Sequence, residues 1–364
     1  MLPPKEGFSE GRAGAIALIV RDLAAASPPG WQTTVLGAAS DSPPYPGLRF
    51  LPVRPGPLLR LLGSNAAYAA AALRALRRDR PDVVEVHNRP DVALRLARGL
   101  PGVPVVLVLH NDPRGMRRAR TPDERRALLG RLGAVCCVSG HILDRLTGDL
   151  AAGGTGAPPG RALVMHNGLR LDTLPPPSAE RGKVLLFVGR LAADKGADTF
   201  VRACALALPD MPGWRAAVIG ADRFRADSPE TPFTAALRPL AASAGIDMLG
   251  FRNNAETLAA LSRAAVAAVP SRWHDPYPRV AQEALACGAV LVTTRRGGLP
   301  ELAGDAAVYV DHEDPASLAA AFRRLAGDPA LRAALSARGR ARAAGFELGA
   351  VVGRWTSLRE SLLG

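Results

Sequence analysis

The chain has 364 residues, of which 48% are hydrophobic and 22% charged, and its formal net charge is +13 at pH 7. This length exceeds that of one compact core and predicts about two domains. No apolar run approaches the ~20 residues of a membrane-spanning helix. The positive charge suits a nucleic acid, an anionic membrane or a phosphorylated small molecule, with an ordinary arginine-rich surface as the plain alternative.

The four cysteines, Cys136, Cys137, Cys204 and Cys287, lie in apolar surroundings without metal-binding spacing. We interpret them as buried thiols in a reducing compartment. The first 14 residues lack the apolar core of a signal peptide. The sequence therefore predicts a cytoplasmic protein.

In the N-terminal half, short β-like runs alternate with helical patterns. A loop rich in glycine and proline at residues 3–14 leads directly into a predicted helix at 15–26, with no strand before it. A parallel α/β domain would have a central strand there, so we expect the chain as given to begin downstream of its natural start. Strands are predicted at residues 33–36, 49–53, 83–86, 103–109, 134–138 and 162–165, and helices at 65–78, 121–132 and 140–150. This alternation predicts a parallel sheet covered by helices on both faces.

The proline-rich segment at residues 174–178 interrupts this alternation, which restarts with a strand at 184–188. Further strands are predicted at residues 215–219, 246–249, 265–269, 289–293 and 307–310, and helices at 315–325, 329–344 and 348–363. We therefore predict one domain at residues 1–174, a second at 175–345, and a final helix at 346–364.

Two acids, Asp275 and Glu283, stand eight positions apart within residues 270–301. Eight residues make slightly more than two helical turns, so both carboxylates can line one side of a cleft if a helix begins between them. Such a pair suits either acid/base catalysis or the recognition of hydroxyl groups.

Eight segments resemble the retaining family 4 glycosyltransferases of the GT-B fold. In the C-terminal half they are VGRLAADKG (188–196), LGFRNNAETLAAL (249–261), PSRWHDPYPRVAQEALACG (270–288) and TRRGGLPEL (294–302). In the N-terminal half they are PDVVEVHN (81–88), VVLVLHND (105–112), AVCCVSGHI (134–142) and VMHNGLRLD (164–172). The resemblance implies an α/β protein of GT-B architecture: two Rossmann-like parallel-sheet domains facing across a cleft, with a C-terminal helix that crosses back to the N-terminal domain. It also implies a nucleotide-sugar donor, held mostly by the C-terminal domain.

The resemblance places four residues at the reaction: His110, Arg190, Lys195 and Asp275. Arg190 and Lys195 would neutralise the donor diphosphate, whose charge grows as the glycosidic bond breaks. With these cations, and with no DxD motif or metal-ligand spacing in the sequence, we expect no metal and no cofactor. His110 would contact the transferred sugar or stabilise charge near the reacting carbon. Asp275, where the family usually has glutamate, is expected near the hydroxyls of the donor sugar.

Glu283 is expected to accept hydrogen bonds from the ribose of the donor. The family commonly has glycine where this chain has Pro278, so one backbone N–H is absent, but the helix start still offers the amides of Arg279 and Val280 to an anion. The full predicted donor-binding set is Gly7, Gly11, Gly189, Phe251, Arg252, Arg279, Val280, Glu283, Gly297, Gly298 and Glu301. The predicted acceptor-side residues are His87, Asn111 and Asp112.

Two arginine clusters lie in the N-terminal half. They comprise Arg74, Arg77, Arg78 and Arg80, and Arg114, Arg117, Arg118, Arg120, Arg125 and Arg126. Such clusters suit an anionic membrane surface, as in a peripheral protein on the inner face of the membrane, or a pyrophosphate-linked lipid acceptor. A solvated face is the alternative. Nucleic-acid binding is not expected, because the basic residues lack interleaved aromatics.

The sequence thus predicts a metal-independent, retaining glycosyltransferase that moves a sugar from a nucleotide-diphosphate donor to a hydroxyl of a saccharide or lipid-linked acceptor. Two alternatives stay open. A non-catalytic sugar-nucleotide-binding protein is favoured by the missing first strand, Asp275 and Pro278. A GT-B-fold nucleotide-sugar epimerase would need an acid/base set beside the sugar, which the sequence does not reveal.

Overall fold

The structure, a computed structural model, describes residues 1–10, 12–56, 63–150, 160–176, 178, 181–222 and 230–364. It contains two compact units, which we call the N-unit (Met1–Gly168 with Leu348–Gly364) and the C-unit (Leu169–Glu347). The boundaries expected from the sequence, after residues 174 and 345, lie close to the two points where the chain passes between units.

The N-unit consists of parallel strands and the helices between them. Its strands are β1 (Thr34–Ala38), β2 (Arg49–Val53), β3 (Val84–His87), β4 (Val105–Leu109), β5 (Ala134–Cys137) and β6 (Ala162–Val164). Its helices are α1 (Ala15–Ala25), α2 (Ser64–Arg78), α3 (Pro90–Gly99), α4 (Pro122–Arg131) and α5 (Gly140–Thr147), together with the last helix of the chain, Leu348–Leu363. The strands form one sheet in the order β3-β4-β5-β6 and a separate pair, β1-β2.

Two residues occupy the place where the sequence led us to expect a central strand. The N–H of Leu2 donates to the carbonyl of Leu36 at 2.8 Å, and the N–H of His87 donates to the carbonyl of Met1 at 3.1 Å. Met1 and Leu2 therefore link β1 to β3. Through this link the strand order is β2-β1, then residues 1–2, then β3-β4-β5-β6.

The last helix completes the core of the N-unit. Its apolar side chains, including Trp355 and Val351, pack in one buried cluster with Val106 and Val108 of β4. Polar contacts support this packing, since Arg359 Nε lies 2.7 Å from Glu85 Oε1. The helix thus belongs to the unit that contains the first half of the chain.

The C-unit contains one six-stranded parallel sheet. Its strands are β7 (Gly182–Val188), β8 (Arg215–Ile219), β9 (Ile246–Gly250), β10 (Ala264–Val269), β11 (Val290–Thr293) and β12 (Ala307–Tyr309). Its helices are α6 (Ala197–Ala207), α7 (Pro232–Ser243), α8 (Asn254–Arg263), α9 (Arg279–Cys287), α10 (Leu299–Ala303), α11 (Pro315–Gly327) and α12 (Pro329–Ala344), and we number the final helix α13. The strand order is β12-β11-β10-β7-β8-β9. It reverses between β7 and β10, and open α/β sheets bind ligands at the carboxyl ends of the strands at such a point.

Two parallel-sheet units confirm the predicted α/β class. The four cysteines are free and buried, as the sequence predicted. Within the ranges given above, none of the helices combines the length and apolar character needed to cross a membrane.

Candidate active site

The C-unit brings the predicted cations and the first acid together at the reversal of strand order. Strand β7 leads into Gly189 and Arg190 and then into a short 3-10 turn, Ala193–Lys195. Its neighbour β10 leads into the segment that carries Asp275. Because parallel strands place their carboxyl ends at one edge of the sheet, these loops meet although they are distant in sequence.

Lys195 and Asp275 form an ion pair across these two loops. The Lys195 Nζ lies at hydrogen-bond distance from Oδ1 of Asp275. The hydroxyl of Ser271 donates to the other carboxylate oxygen, Oδ2, at 2.7 Å. Asp275 is only 6% exposed and Ser271 is fully buried. Each oxygen of this carboxylate therefore has a partner within the protein.

Backbone contacts fix the same two loops against each other. The carbonyl of Asp194 accepts hydrogen bonds from the N–H groups of Arg272 and Trp273 at 3.0 and 3.1 Å. Gly196 has a φ of +73°, and a Cβ on it would lie 2.2 Å from the carbonyl oxygen of Pro270. Only glycine allows both this conformation and this close approach. The position of Lys195 is consequently tied to the loop that follows β10.

The predicted glycine turn packs against the backbone of Asp275. Gly298 N–H donates to the Asp275 carbonyl at 2.8 Å. Gly297 has a φ of +57°, and a Cβ there would lie 2.1 Å from that same carbonyl oxygen. Glu301 follows in the short helix α10. Glycine at position 297 is thus required by the packing of the loops themselves.

Glu283 lies inside α9 and is only 4% exposed. Its Oε1 accepts hydrogen bonds from Asn254 Nδ2 at 3.0 Å and from Arg279 Nε at 2.8 Å. Asn254 is the first residue of α8, and the predicted nucleobase segment, Phe251 and Arg252, lies just before it. The structure therefore brings the predicted ribose acid and the end of the nucleobase segment together. Arg279 and Val280 begin α9, as predicted.

Three predicted cations of the C-unit have a carboxylate partner. Besides Lys195 with Asp275, Arg279 pairs with Glu283, and Arg190 Nη2 lies 3.0 Å from Asp194 Oδ2. Arg252 instead donates to the carbonyl of Phe251 at 3.1 Å.

In the N-unit, the structure brings the two predicted histidines into direct contact. His87 Nδ1 and His110 Nε2 are 2.8 Å apart and joined by a hydrogen bond. Both side chains are buried, and they line a small cavity that Trp355 also borders. Burial lowers the pKa of His110 to about 4. Burial, with the neighbouring His110 as a second cause, holds the pKa of His87 well below its usual range. Both imidazoles are therefore neutral at pH 7.

The other predicted acceptor-side residues have different surroundings. Asn111 is exposed. Asp112 accepts a hydrogen bond from Arg145 Nε at 2.7 Å and caps the turn at Pro113–Gly115 by accepting from the N–H of Arg114. Its carboxylate has a structural role in this conformation.

The predicted glycine loop is only partly within the described residues, because Gly11 lies outside them. A Cβ on Gly7 would lie 2.7 Å from the carbonyl oxygen of Arg12, so the loop folds closely on itself. This packing explains the presence of glycine at position 7 without any contact to a ligand.

The second arginine cluster divides into buried and exposed members. Arg125 is fully buried and donates to the carbonyls of Ala119, Arg120 and Leu146 and to both oxygens of Asp149. Arg114 and Arg126 also bond to protein carbonyls. The remaining members, Arg117, Arg118 and Arg120, are exposed. Arg125 therefore contributes neither to a membrane-binding surface nor to a solvated face.

Four residues of these networks were missed in the sequence: Asn88, Asp194, Asn254 and Ser271. Asn88 has a positive φ of 55°, and its Oδ1 accepts from the N–H of His110 at 2.8 Å, which anchors the histidine pair. Asn88 and Asp194 stand directly beside the predicted site residues His87 and Lys195, and that adjacency is the signal that could have found them. Asn254 and Ser271 are not adjacent to a predicted site residue. Across the described residues, no group of three or more His, Cys, Asp or Glu side chains is placed to hold a metal ion.

Comparison with known families accounts for nearly the whole chain. The family described as "Glycosyl transferases group 1" matches residues 175–342, and "Glycosyltransferase Family 4" matches residues 16–173. A D-inositol 3-phosphate glycosyltransferase of Acidothermus cellulolyticus is 31% identical, over 86% of this chain and 73% of the relative. The chain belongs to the group 1, family 4 glycosyltransferases. A second relative of the same name, from Actinosynnema mirum, is 30% identical over 99% of this chain and 93% of its own length.

Solved structures support the fold of this glycosyltransferase. Sucrose-phosphate synthase from Thermosynechococcus elongatus has a TM-score of 0.77 at 20% identity, covering 96% of this chain and 94% of that one. Anabaena HepE in complex with UDP-glucose has a TM-score of 0.74 at 18% identity, covering 99% and 98%. These similarities confirm the GT-B fold class. The family also favours neither the epimerase nor the non-catalytic binding protein considered from the sequence.

Proposed function

We propose that this glycosyltransferase transfers a sugar from a nucleoside-diphosphate donor to a hydroxyl of a saccharide or lipid-linked acceptor, without a metal ion and with retention of anomeric configuration. The observation that carries the proposal is the cluster at the reversal of strand order in the C-unit, where Lys195 and Arg190 follow β7 and Glu283 lies buried in α9. The proposal is supported further by the UDP-glucose bound in the structural neighbour HepE.

The chemistry follows from the charges. As the bond between sugar and diphosphate breaks, negative charge accumulates on the leaving phosphate. Arg190 and Lys195 would stabilise that charge more strongly in the transition state than in the ground state, which lowers the barrier. The first amides of α9 add partial positive charge at a helix start. These groups would supply the neutralisation that a divalent cation supplies in other transferases.

Glu283 would hold the nucleoside. Its hydrogen bonds with Asn254 and Arg279, among the residues that the structure describes, both use Oε1, so a ribose hydroxyl could donate to Oε2 without breaking them. A hydrogen bond from a hydroxyl to a buried carboxylate is charge-assisted and therefore stronger than a neutral one.

The first experiment combines a donor panel with a Glu283 variant. UDP-, GDP- and ADP-sugars are screened by thermal shift and then by transfer, with D-inositol 3-phosphate among the acceptors because of the relatives' name. Glu283→Ala should weaken binding of the preferred nucleotide at least about tenfold, because hydrogen bonds to the ribose are lost. Glu230→Ala, which removes an exposed glutamate paired with Arg238, is the matched control.

Three results would contradict the proposal. Unchanged nucleotide affinity in Glu283→Ala would remove the ribose assignment. A product of inverted configuration, determined by NMR, would remove the retaining mechanism. Loss of transfer by the parent enzyme after chelation, restored by a divalent cation, would remove metal independence.

A further inference from the structure

Asp275 has a position that its expected contact with the donor sugar does not explain. Its Oδ1 pairs with the ammonium of Lys195 and its Oδ2 accepts the hydroxyl of Ser271, while the residue as a whole is 6% exposed. A carboxylate engaged on both oxygens and nearly buried presents little surface to a sugar hydroxyl. Its strongest interaction is with a cation assigned to the diphosphate.

The three ion pairs of the site differ in one respect. Arg190 with Asp194 and Arg279 with Glu283 are pairs four residues apart, so each joins neighbours on one turn or helix. Lys195 and Asp275 are 80 positions apart and lie on the loops after β7 and β10. Of the three pairs, this is the one in which the cation lies on one loop and its carboxylate partner lies on a different loop.

We propose that Asp275 is the counter-ion of Lys195, a positioning residue that sets the place and the effective charge of the ammonium facing the donor diphosphate. The inference rests on the proposed function, which supplies the diphosphate. In this role the carboxylate limits the attraction of Lys195 for a bound diphosphate, since its own negative charge lies beside the ammonium. Weaker attraction favours release of the nucleoside-diphosphate product, in which the charge of the leaving phosphate is fully developed.

Asp275→Asn isolates the charge, because the surrounding network can accept an amide. The amide Oδ1 can still accept from Lys195, and its Nδ2 can donate to the Ser271 oxygen. The Ser271 hydroxyl can then donate to the carbonyl of Trp273 at 3.2 Å or of Asp194 at 3.3 Å, which are already within its reach. The variant therefore removes a negative charge and retains the shape.

The test compares three ligands by calorimetry: a nucleoside, its diphosphate and the corresponding sugar nucleotide, with the base chosen by the donor panel. In Asp275→Asn, affinity for the diphosphate and for the sugar nucleotide should both rise, by about tenfold for the diphosphate at low salt, because a like charge near the phosphates is lost. Affinity for the nucleoside should not change. In a Lys195→Gln background, Asp275→Asn should give less of this gain, because the two residues form one coupled pair.

Asp210→Asn is the matched control, since it removes the carboxylate of an exposed ion pair with Arg323 in the same unit. It should alter none of the three affinities. Asp275→Glu keeps the charge and should not tighten diphosphate binding.

Other outcomes overturn the inference. If only the sugar nucleotide binds more weakly to Asp275→Asn, Asp275 is a sugar ligand. If all three ligands bind more weakly, its role is generally structural. If nothing changes, it is not a counter-ion. A parent enzyme that binds no nucleoside diphosphate would instead refute the proposed function, and the inference with it.

A ligand-free measurement covers the case in which Asp275→Asn is too unstable for calorimetry. Lys195→Gln, Asp275→Asn and the double variant form a cycle of unfolding free energies. A counter-ion pair predicts that the double variant is more stable than the sum of the single effects, since each single change strands a poorly exposed partner. Simple additivity would overturn the inference.

Discussion

His87 and His110 show how one hydrogen bond limits the charge of two neighbouring side chains. His87 Nδ1 and His110 Nε2 face each other at 2.8 Å, so only one proton can lie between them. Protonating both rings would place two hydrogens and two positive charges there. Burial opposes even the first of these charges. The pair formed by His87 and His110 is therefore neutral at pH 7.

This pair predicts a loss of stability in acid. Burial lowers the pKa of His110 in the folded state to about 4, while an unfolded histidine has a pKa of about 6.5. Between these values the unfolded chain binds more protons, so the free energy of unfolding should fall as pH drops through 6.5 towards 4. The slope for one group reaches about 1.4 kcal/mol per pH unit. Denaturant unfolding at pH 7 and pH 5 measures it.

His110→Gln should reduce this pH dependence, because one of the two buried histidines with a lowered pKa is gone. His312→Gln removes an exposed histidine from the C-unit and serves as the control. A parent and a His110→Gln variant that lose equal stability between pH 7 and pH 5 would show that His110 does not titrate as the burial requires.

At the scale of elements, two glycines with left-handed backbone conformation allow the cost of backbone strain to be distinguished from the cost of a steric clash. Gly196 and Gly245 have φ values of +73° and +66°. A Cβ on Gly196 would lie 2.2 Å from the Pro270 carbonyl oxygen, whereas nothing lies within 4 Å of a Cβ on Gly245. The two positions thus share a conformational requirement and differ in the space available.

Gly245→Ala should cost only the conformational strain, about 1 kcal/mol. Gly196→Ala should cost clearly more and should also weaken diphosphate binding, because the loop carrying Lys195 must move away from Pro270. Chemical denaturation and calorimetry of both variants measure these effects. Equal stability losses and parent-like nucleotide binding in both variants would contradict the role given to this contact.

Many of the strands and helices could be predicted from the sequence. Strand β2 and helices α12 and α13 have the predicted bounds, because alternating or helical apolar patterns and proline at a helix start are local signals. Helix α3, at Pro90–Gly99, was not singled out. Arg125 was taken for a surface charge, since its burial depends on carbonyl groups that only the folded chain brings near.

For the candidate site, the sequence indicated several residues by their motifs, but it did not indicate which of them contact each other. Lys195, Asp275 and Glu283 stand out through their motifs. The pairing of Lys195 with Asp275 depends on β7 and β10 being neighbours, and no pattern in the sequence between two residues 80 positions apart records that adjacency. For the same reason Ser271 and Asn254, which have no motif of their own, were missed.

At the scale of the whole molecule, each unit has its own hydrophobic core. The core of the N-unit includes Trp355, which is 2% exposed, and the C-unit has a separate cluster around Phe187, Phe200 and Phe322. Separate cores predict separate responses to mutation and to ligand.

Trp355→Ala should destabilise the N-unit by about 3–5 kcal/mol, as other large aromatic deletions in cores do. Scanning calorimetry should show one transition moved to lower temperature, while the preferred nucleotide raises the other. Leu363→Ala, an exposed change in the same helix, is the control. A single transition that shifts as a whole in both experiments would mean that the units unfold together.

The chain order of the N-unit has a consequence for biosynthesis. Its sheet comes from the first 168 residues, but Val351 and Trp355, which close its core, belong to the last helix. Multidomain proteins usually fold from the N-terminal domain onwards as the ribosome releases them. Here all of Leu169–Glu347 is translated before the helix that completes the N-unit. The C-unit can therefore fold while the N-unit still exposes part of its apolar surface to the ribosome and to chaperones.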